Sequence, residues 1–320
     1  MDIILTALEY LGYVLIFPGF LFCFIVGLLL TGIDRKLVAK MQKRVGPPIL
    51  QPFYDFFKLC GKERIVPAAA SKTTFLIAPL VGLAGLVVLQ LFIPIYGFTA
   101  FSGMADVIVI LYLLLLPAMA AMLGGAASGS PYAGVGLSRE MVTVISCELP
   151  LVLVLLAVGK VAGGDSVTFS MSRISEFQIA NGSLITHASL IPAAIAFLMI
   201  IPGEAGCHPF DTAEAETEIC EGLLAEYSGA PLAVYKLTNS IKLLTMTGLF
   251  VALFLGGVGV GVPVVDALIM VAICVVIVAV AVSLVHAVTA RLKVEQVFKY
   301  YWTVVTALAA VSLVMAWYGL

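Results

Sequence analysis

The sequence predicts an all-α integral membrane protein, with about eight transmembrane helices and one amphipathic helix on the cytoplasmic side. Three observations lead there. First, 62% of the 320 residues are hydrophobic and only 11% are charged, whereas a soluble domain carries about 25% charged residues. Second, eight stretches approach the length of roughly 20 apolar residues that a helix needs to cross the hydrocarbon core. Third, none of these runs alternates as a barrel strand does, and backbone in lipid must satisfy its hydrogen bonds internally. The net charge of -2 offers no basic surface for nucleic acid.

In order, the spans are expected at 5–33, 74–95, 104–125, 140–161, 186–203, 229–256, 264–287 and 301–319, within a single membrane domain covering 1–320. The fifth is the shortest. Pro94, Pro117, Pro150 and Pro192 fall inside these runs, which membrane helices tolerate better than soluble ones. The first run is too long for a signal h-region and lacks a basic n-region, so it reads as a retained span.

Lys and Arg set the orientation. Loop 34–72 holds Arg35, Lys36, Lys40, Lys43, Arg44, Lys58, Lys62, Arg64 and Lys72, and the last loop holds Arg291, Lys293 and Lys299. The opposite side has Lys160 and Arg173. The positive-inside rule therefore puts the basic loops in the cytoplasm and both termini outside. Within loop 34–72, Phe53, Phe56, Phe57 and Cys60 recur at i, i+3, i+4 and i+7, with Asp55, Lys58 and Lys62 on other sides. That pattern predicts an amphipathic helix lying in the membrane interface, which serves either as an anchor or as a docking platform.

The loop 204–228 has a different character. Glu204, Asp211, Glu214, Glu216, Glu218, Glu221 and Glu226 put seven of the nineteen acids into 23 residues, with no Lys or Arg among them. Ile219, Leu223, Leu224 and Tyr227 interrupt the charges. The spacing predicts a packed helix carrying Glu214, Glu218 and Glu221 on one face. Like charges so placed repel, so their titrations couple and some take up protons. Such groups suit a proton relay, although a charge run can also be a solvated face.

Ionisable residues inside spans cost about 3 kcal/mol each on insertion scales, which makes them functional candidates. Glu148 lies within the fourth span, Glu140 starts it, and the two sit about 80° apart around the axis. Lys236 and Lys242 lie in the sixth, with Asn239 and Ser240 between them. The six cysteines form no C-x-x-C pair, and His187, His208 and His286 have no metal-ligand spacing, so no metal or iron–sulfur site is expected in this chain.

Several elements together resemble the subunit 1 family of respiratory NADH:quinone oxidoreductase (complex I) and its relatives in membrane-bound energy-converting [NiFe] hydrogenases of the Ech and Mbh types. They are Asp34-Arg35-Lys36 through Gln42, Arg44, Gly46 and Pro47; Gln51-Pro52 with Asp55 and Lys58-Leu59; Ser146 to Pro150; Glu204; Pro209-Phe210-Asp211; Glu214 to Glu218; Glu226-Tyr227; and Arg291 through Gln296 to Trp302. Two departures point to the hydrogenase branch and weigh against quinone binding. Gly46-Pro47 is followed at once by Pro48-Ile49-Leu50-Gln51-Pro52, a shorter link than in quinone-type members, and Cys207 stands where those members carry Arg.

The resemblance implies a heel subunit with no cofactor of its own. Its partners would be hydrogenase-like large and small subunits, an iron–sulfur subunit and antiporter-like membrane subunits, with [4Fe–4S] clusters and Ni–Fe residing in the partners. Glu140, Glu148, Glu204, Asp211, Glu214, Glu216, Glu218, Glu221, Glu226, Lys236 and Lys242 would couple proton or sodium movement to electron transfer. Asp34, Arg35, Lys36, Arg44, Gln51, Asp55 and Lys58 would dock the peripheral arm. The plasma membrane of a prokaryote is the expected location. The alternatives are a quinone- or methanophenazine-reducing relative, a sulfur-reducing relative, and a stand-alone transporter, against which the absence of an internal repeat counts.

Overall fold

A computed structural model describes residues 10–96, 106–164, 166–259 and 262–319, with the side chains of Glu216, Thr217 and Pro263 left aside. Residues 5–9 of the first predicted span and 104–105 of the third lie outside them. The regular structure of the described residues is helical, apart from isolated bridge positions such as the pair Asp106 and Ser170.

Among the described residues, seven helices are long and apolar enough to cross a membrane, and an eighth, Ala188–Glu204, is shorter. We label the helices α1 (Phe20–Met41), α2 (Gln51–Cys60), α3 (Lys72–Phe92), α4 (Val107–Ser128), α5 (Pro131–Gly163), α6 (Met171–Asn181), α7 (Ile191–Glu204), α8 (Gly229–Phe254), α9 (Val264–Val288) and α10 (Val294–Tyr318). The chain is a multi-pass membrane protein.

Three boundaries move from their expected places. Helix α1 runs on to Met41, so Asp34, Arg35 and Lys36 sit on its last turns instead of in a loop. Helix α5 begins at Pro131, so Glu140 lies well inside it. Helix α3 ends at Phe92, ahead of Pro94, because a residue before proline is pushed out of the helical region. No long apolar run announces α6; its Met171 and Ile174 are buried in the core, and polar contacts tie it to the end of α8. Its buried Gln178 donates to Ala252 and Leu253 O at 2.8 and 3.2 Å and accepts from Gly256 N at 2.6 Å. One amide thereby satisfies carbonyls that the end of α8 leaves without helical partners.

Helix α8 is the hub. It packs against α1, α2, α3, α7 and α9, and 94% of its most apolar window is buried, against 28–56% for the other spans. Helices α3 and α4 pair beside it, and α5 packs on α7 and α10. Both α9 and α10 contain a π-turn, Val278–Ser283 and Tyr301–Val305. Such turns re-aim side chains. Ser283 Oγ donates to Asp34 Oδ1 at 2.6 Å, and Tyr301 Oη donates to Met199 O at 3.2 Å.

Helix α2 is amphipathic, as expected. Phe24 of α1 receives Phe53, Phe56 and Phe57 at centroid distances of 5.8, 5.1 and 6.3 Å. Tyr54 and Phe57 remain exposed beyond that contact.

A carboxylate line and a basic chamber

The central contact is between two charges. Lys242 Nζ lies 3.2 Å from Glu204 Oε2, with both side chains more than 90% buried. Helix α7 is short enough to end at Glu204 inside the protein. Its preceding Gly203 lets Tyr301 and Cys147 approach, since a Cβ there would lie 2.9 Å from Cys147 Sγ. Lys242 comes from α8, about 20 Å along its axis from the start. Separately each charge would be costly; paired in low dielectric, each compensates the other.

The acidic segment folds differently from the expectation. It is not one helix. A 3₁₀ turn (Thr212–Glu214), a single α turn (Glu216–Ile219) and a second 3₁₀ turn (Gly222–Leu224) follow one another. The break falls at Cys220, Glu221 and Gly222, all with positive φ (51°, 66° and 49°). Tertiary packing overrides the helical spacing. Ala213, Ala215, Ile219, Leu223, Leu224 and Tyr227 are all buried, which a straight helix cannot achieve against the side of α5. Gly136 of α5 makes room, because a Cβ there would lie 2.8 Å from Leu223 N.

The turns scatter the carboxylates, and other elements supply the cations that the loop lacks. Arg139 of α5 pairs with Glu218. Arg291 holds Asp211 Oδ2 through Nη2 at 2.8 Å and Nε at 3.1 Å. Glu226 is exposed and Glu221 half-buried, and the side chain of Glu216 lies outside the described residues. Glu214 turns inward, where Asn239 Nδ2 donates to its Oε1 at 3.3 Å. Burial pushes Glu214 up to about 7, with Glu140, Glu221 and Asp211 adding to the effect and the Asn239 hydrogen bond opposing it.

Three cavities meet in series at these residues. The largest, about 510 Å³, is a chamber between α1, α2 and α8 with Glu214, Lys236 and Asn239 on its wall. Glu214 also lines a cleft of about 40 Å³, together with Glu140, Glu204 and Lys242. Glu204 in turn borders a gap of about 10 Å³ with Glu148. A water needs roughly 10–15 Å³ of such space, so the cleft has room for a few waters and the gap for about one. Glu214 and Glu204 are each shared by two of these cavities, which sets Glu214, Glu140, Glu204, Lys242 and Glu148 in a series from the loop toward the bundle interior.

The basic segment forms a second cluster at the chamber mouth. Arg35 Nη1 pairs with Asp55 Oδ2 at 3.2 Å, and Gln51 Nε2 donates to Asp55 Oδ1 at 2.9 Å, tying α1 to α2. Lys36, Arg44 and Lys58 are exposed. Asp34 is half-buried through its bond to Ser283.

This arrangement has relatives. Residues 14–317 match the family described as NADH dehydrogenase. The chain belongs to the NADH dehydrogenase family. It is 38% identical to Hydrogenase-4 component C of Escherichia coli (strain K12) over 228 residues, which are 71% of this chain and 70% of that one. It is 34% identical to NADH-quinone oxidoreductase subunit 8 of Thermus thermophilus over 252 residues, 73% of this chain and 67% of the relative. Among solved structures, a chain of the membrane-bound sulfane sulfur reductase, an archaeal respiratory membrane complex, superposes with a TM-score of 0.85 at 29% identity, covering 97% of this chain and 98% of that one.

Within this member of the NADH dehydrogenase family, the two sequence departures now have positions. Cys207 is half-buried on the chamber wall, where burial pushes its thiol well above the ordinary range. The short link after Gly46-Pro47 folds straight back onto α1, with Ile49 against Gly32, where a Cβ would come within 3.0 Å of its carbonyl carbon. Among the described residues, no three His, Cys, Asp or Glu side chains gather as a metal-holding group. His208 and His286 do meet, their rings stacked at 4.7 Å. Burial lowers the His208 pKa, while Asp211 raises it. Spacing could not have found the pairs of Arg139, Arg291 and Lys242 with the acidic segment, since each partner lies at least 38 residues away.

Proposed function

We propose that this chain is the membrane heel subunit of a multi-subunit energy-converting respiratory complex. It anchors a [NiFe]-hydrogenase-like peripheral arm at its charged, cytoplasmic end and links electron transfer there to H⁺ or Na⁺ movement. In this reading the partners are hydrogenase-like large and small subunits, an iron–sulfur subunit and antiporter-like membrane subunits, and the redox groups, [4Fe–4S] clusters and Ni–Fe, belong to them. The complex sits in a prokaryotic plasma membrane with both termini of this chain outside.

The observation that carries the coupling role is the series of three cavities that share Glu214 and Glu204 on their walls and reach Glu148. A buried carboxyl with a pKa near neutrality accepts and returns a proton with little driving force. The Glu204–Lys242 pair supplies a two-state element. Protonating Glu204 would release Lys242 toward Glu140 on the same cleft, which moves a charge without moving a helix. The 38% identity to Hydrogenase-4 component C supports the hydrogenase-type arm, and the cluster of Arg35, Gln51 and Asp55 offers a rigid platform for it.

The test is ion translocation by the purified complex in proteoliposomes. Glu214→Gln, and Glu204→Gln combined with Lys242→Met so that no lone charge is left inside, should leave the complex assembled and electron transfer present, with most translocation lost. Wild-type translocation in both variants, at wild-type assembly, would exclude the carboxylate line.

A further inference from the structure

The histidine pair has no part in the carboxylate series, yet it stands next to it. His208 lies on the loop after α7 and His286 on the last turn of α9. Their rings stack at 4.7 Å with 24° between the planes, and both residues are half-buried. Charged groups act on the stack from the elements around it. Asp211 and Arg291 act on His208 from their two loops, and Asp34 of α1 acts on His286. The Cys207 thiol is next in sequence, and burial holds it well above its ordinary range. A charge on one stacked ring opposes a charge on the other, so the two titrate as a unit and carry one proton at a time.

Two atoms here are buried with no hydrogen-bond partner among the described residues: His208 Nδ1 and Asp211 Oδ1. Buried polar atoms nearly always have a partner, in protein or in water. These two belong to one loop, and Asp211 is already among the charges acting on His208. A single water shared between them would satisfy both. Arg291 holds Asp211 by Oδ2, which leaves Oδ1 as the acceptor. Asp211 also borders two spaces. One is the cleft of Glu140, Glu204 and Lys242; the other is a pocket of about 210 Å³ at the cytoplasmic surface, where Glu218 and Lys293 are exposed. Imidazole is the side chain that takes and gives a proton near neutral pH, and here it stands beside the residue that faces both ways.

We infer that His208, with His286 stacked on it, loads protons from the cytoplasm into the carboxylate series through Asp211. The ring pair takes up one proton. His208 releases a proton from Nδ1 through the shared water toward Asp211 Oδ1, the N–H electron pair stays on the nitrogen, and the ring returns to neutral. The inference rests on the coupling role given above, with H⁺ as the moving ion. It adds an entrance on the far side of the acidic loop from the chamber of α1, α2 and α8.

The experiment measures proton uptake against pH by the purified complex in proteoliposomes, with its cytoplasmic side outward. In H208N, assembled as the wild type is, uptake at about pH 6 should slow by roughly tenfold or more. Burial lowers the His208 pKa from 6.5, with Asp211 opposing, so wild-type uptake should fall as pH rises through a value below 6.5, and H208N should lose that limb. H208F keeps a ring for the stack but holds no proton, and should be as slow as H208N. Free 4-methylimidazole should rescue H208N better than 1,2,4-triazole, because rescue by proton transfer follows the pKa of the added base. H286N makes the same test from α9, and should slow uptake even if H208N does not assemble. Wild-type uptake with an unchanged pH profile in the histidine variants would overturn the inference. Full uptake in H208F, or rescue indifferent to the added base, would overturn it too, since the stack would then be packing alone. Glu214→Gln should lose uptake with no rescue by either base. If Glu214→Gln and the Glu204–Lys242 double variant both translocate normally, the carboxylate series itself fails; if they do not and H208N does, only the histidine entrance fails.

Discussion

Lys242 and Lys236 lie six residues apart on α8, yet their surroundings are opposite. Lys242 is buried against Glu204 in a cleft with room for a few waters. Lys236 is exposed to a chamber more than ten times larger and has no ion pair among the described residues. Residue type and helix are the same, and only the facing element differs: the end of α7 for Lys242, and the open angle between α1 and α2 for Lys236. A buried pair is costly to break and a candidate for switching, while an exposed, unpaired cation is free to hold something else.

That contrast gives a ranked set of outcomes. Lys242→Met should be the most damaging, because it strands Glu204 in the interior; breaking one side of a buried pair costs about 3–5 kcal/mol. Lower yield and a lower Tm of the purified complex would report it, and adding Glu204→Gln should recover most of the loss. An unchanged Tm in the single variant would mean that the interior tolerates the lone carboxylate as neutral acid. Gly222→Ala should cost about 1–3 kcal/mol. Its φ of 49° disfavours a side chain, and the Ile219 side chain lies 2.7 Å from the added Cβ. The same thermal unfolding measurement checks this.

Glu214 tests how closed the cleft is. Burial raises its folded pKa to about 7 from an ordinary 4.5, so the folded state binds the proton more tightly than the unfolded chain does. Its stabilising contribution is therefore complete below about pH 4.5 and fades as pH rises through about 7. Infrared difference spectra should show a protonated carboxyl band that titrates near pH 7 and vanishes in Glu214→Gln. A band gone by pH 5 would place Glu214 in solvent instead. At the rim, Glu218→Gln removes a partly exposed pair with Arg139 and should cost at most about 1 kcal/mol. Lys236→Gln should be the mildest, within about 0.5 kcal/mol of wild type in Tm measurements, since no ion pair is lost. A large loss there would erase the distinction between the two lysines.

The spans were legible because lipid imposes one rule on every segment: enough apolar length, with all backbone bonds closed internally. The amphipathic α2 was legible for a similar reason, as its four-residue apolar stripe is local. Helix α6 was not, since its two fully buried apolar residues, Met171 and Ile174, are too few to make a run, and the buried Gln178 that ties it to the end of α8 is a distant contact. The acidic segment was half legible. Its carboxylates and its packing residues Ile219, Leu223, Leu224 and Tyr227 could be seen, and these four are buried. The helix drawn through Glu214, Glu218 and Glu221 was wrong, because burying those apolar residues against α5 requires the reversal at Cys220–Gly222.

The sequence by itself determined that this is a multi-pass helical protein of the NADH dehydrogenase family, with its charge concentrated in two loops. Composition and short-range periodicity are properties of neighbouring residues, and lipid acts on them one segment at a time. Only the tertiary structure decided which charges meet: Lys242 with Glu204, Arg139 with Glu218, Arg291 with Asp211, and Lys236 with none among the described residues. Coulomb attraction in a low-dielectric interior depends on distances between helices far apart in the chain, and those distances follow from packing around α8, which no local pattern encodes.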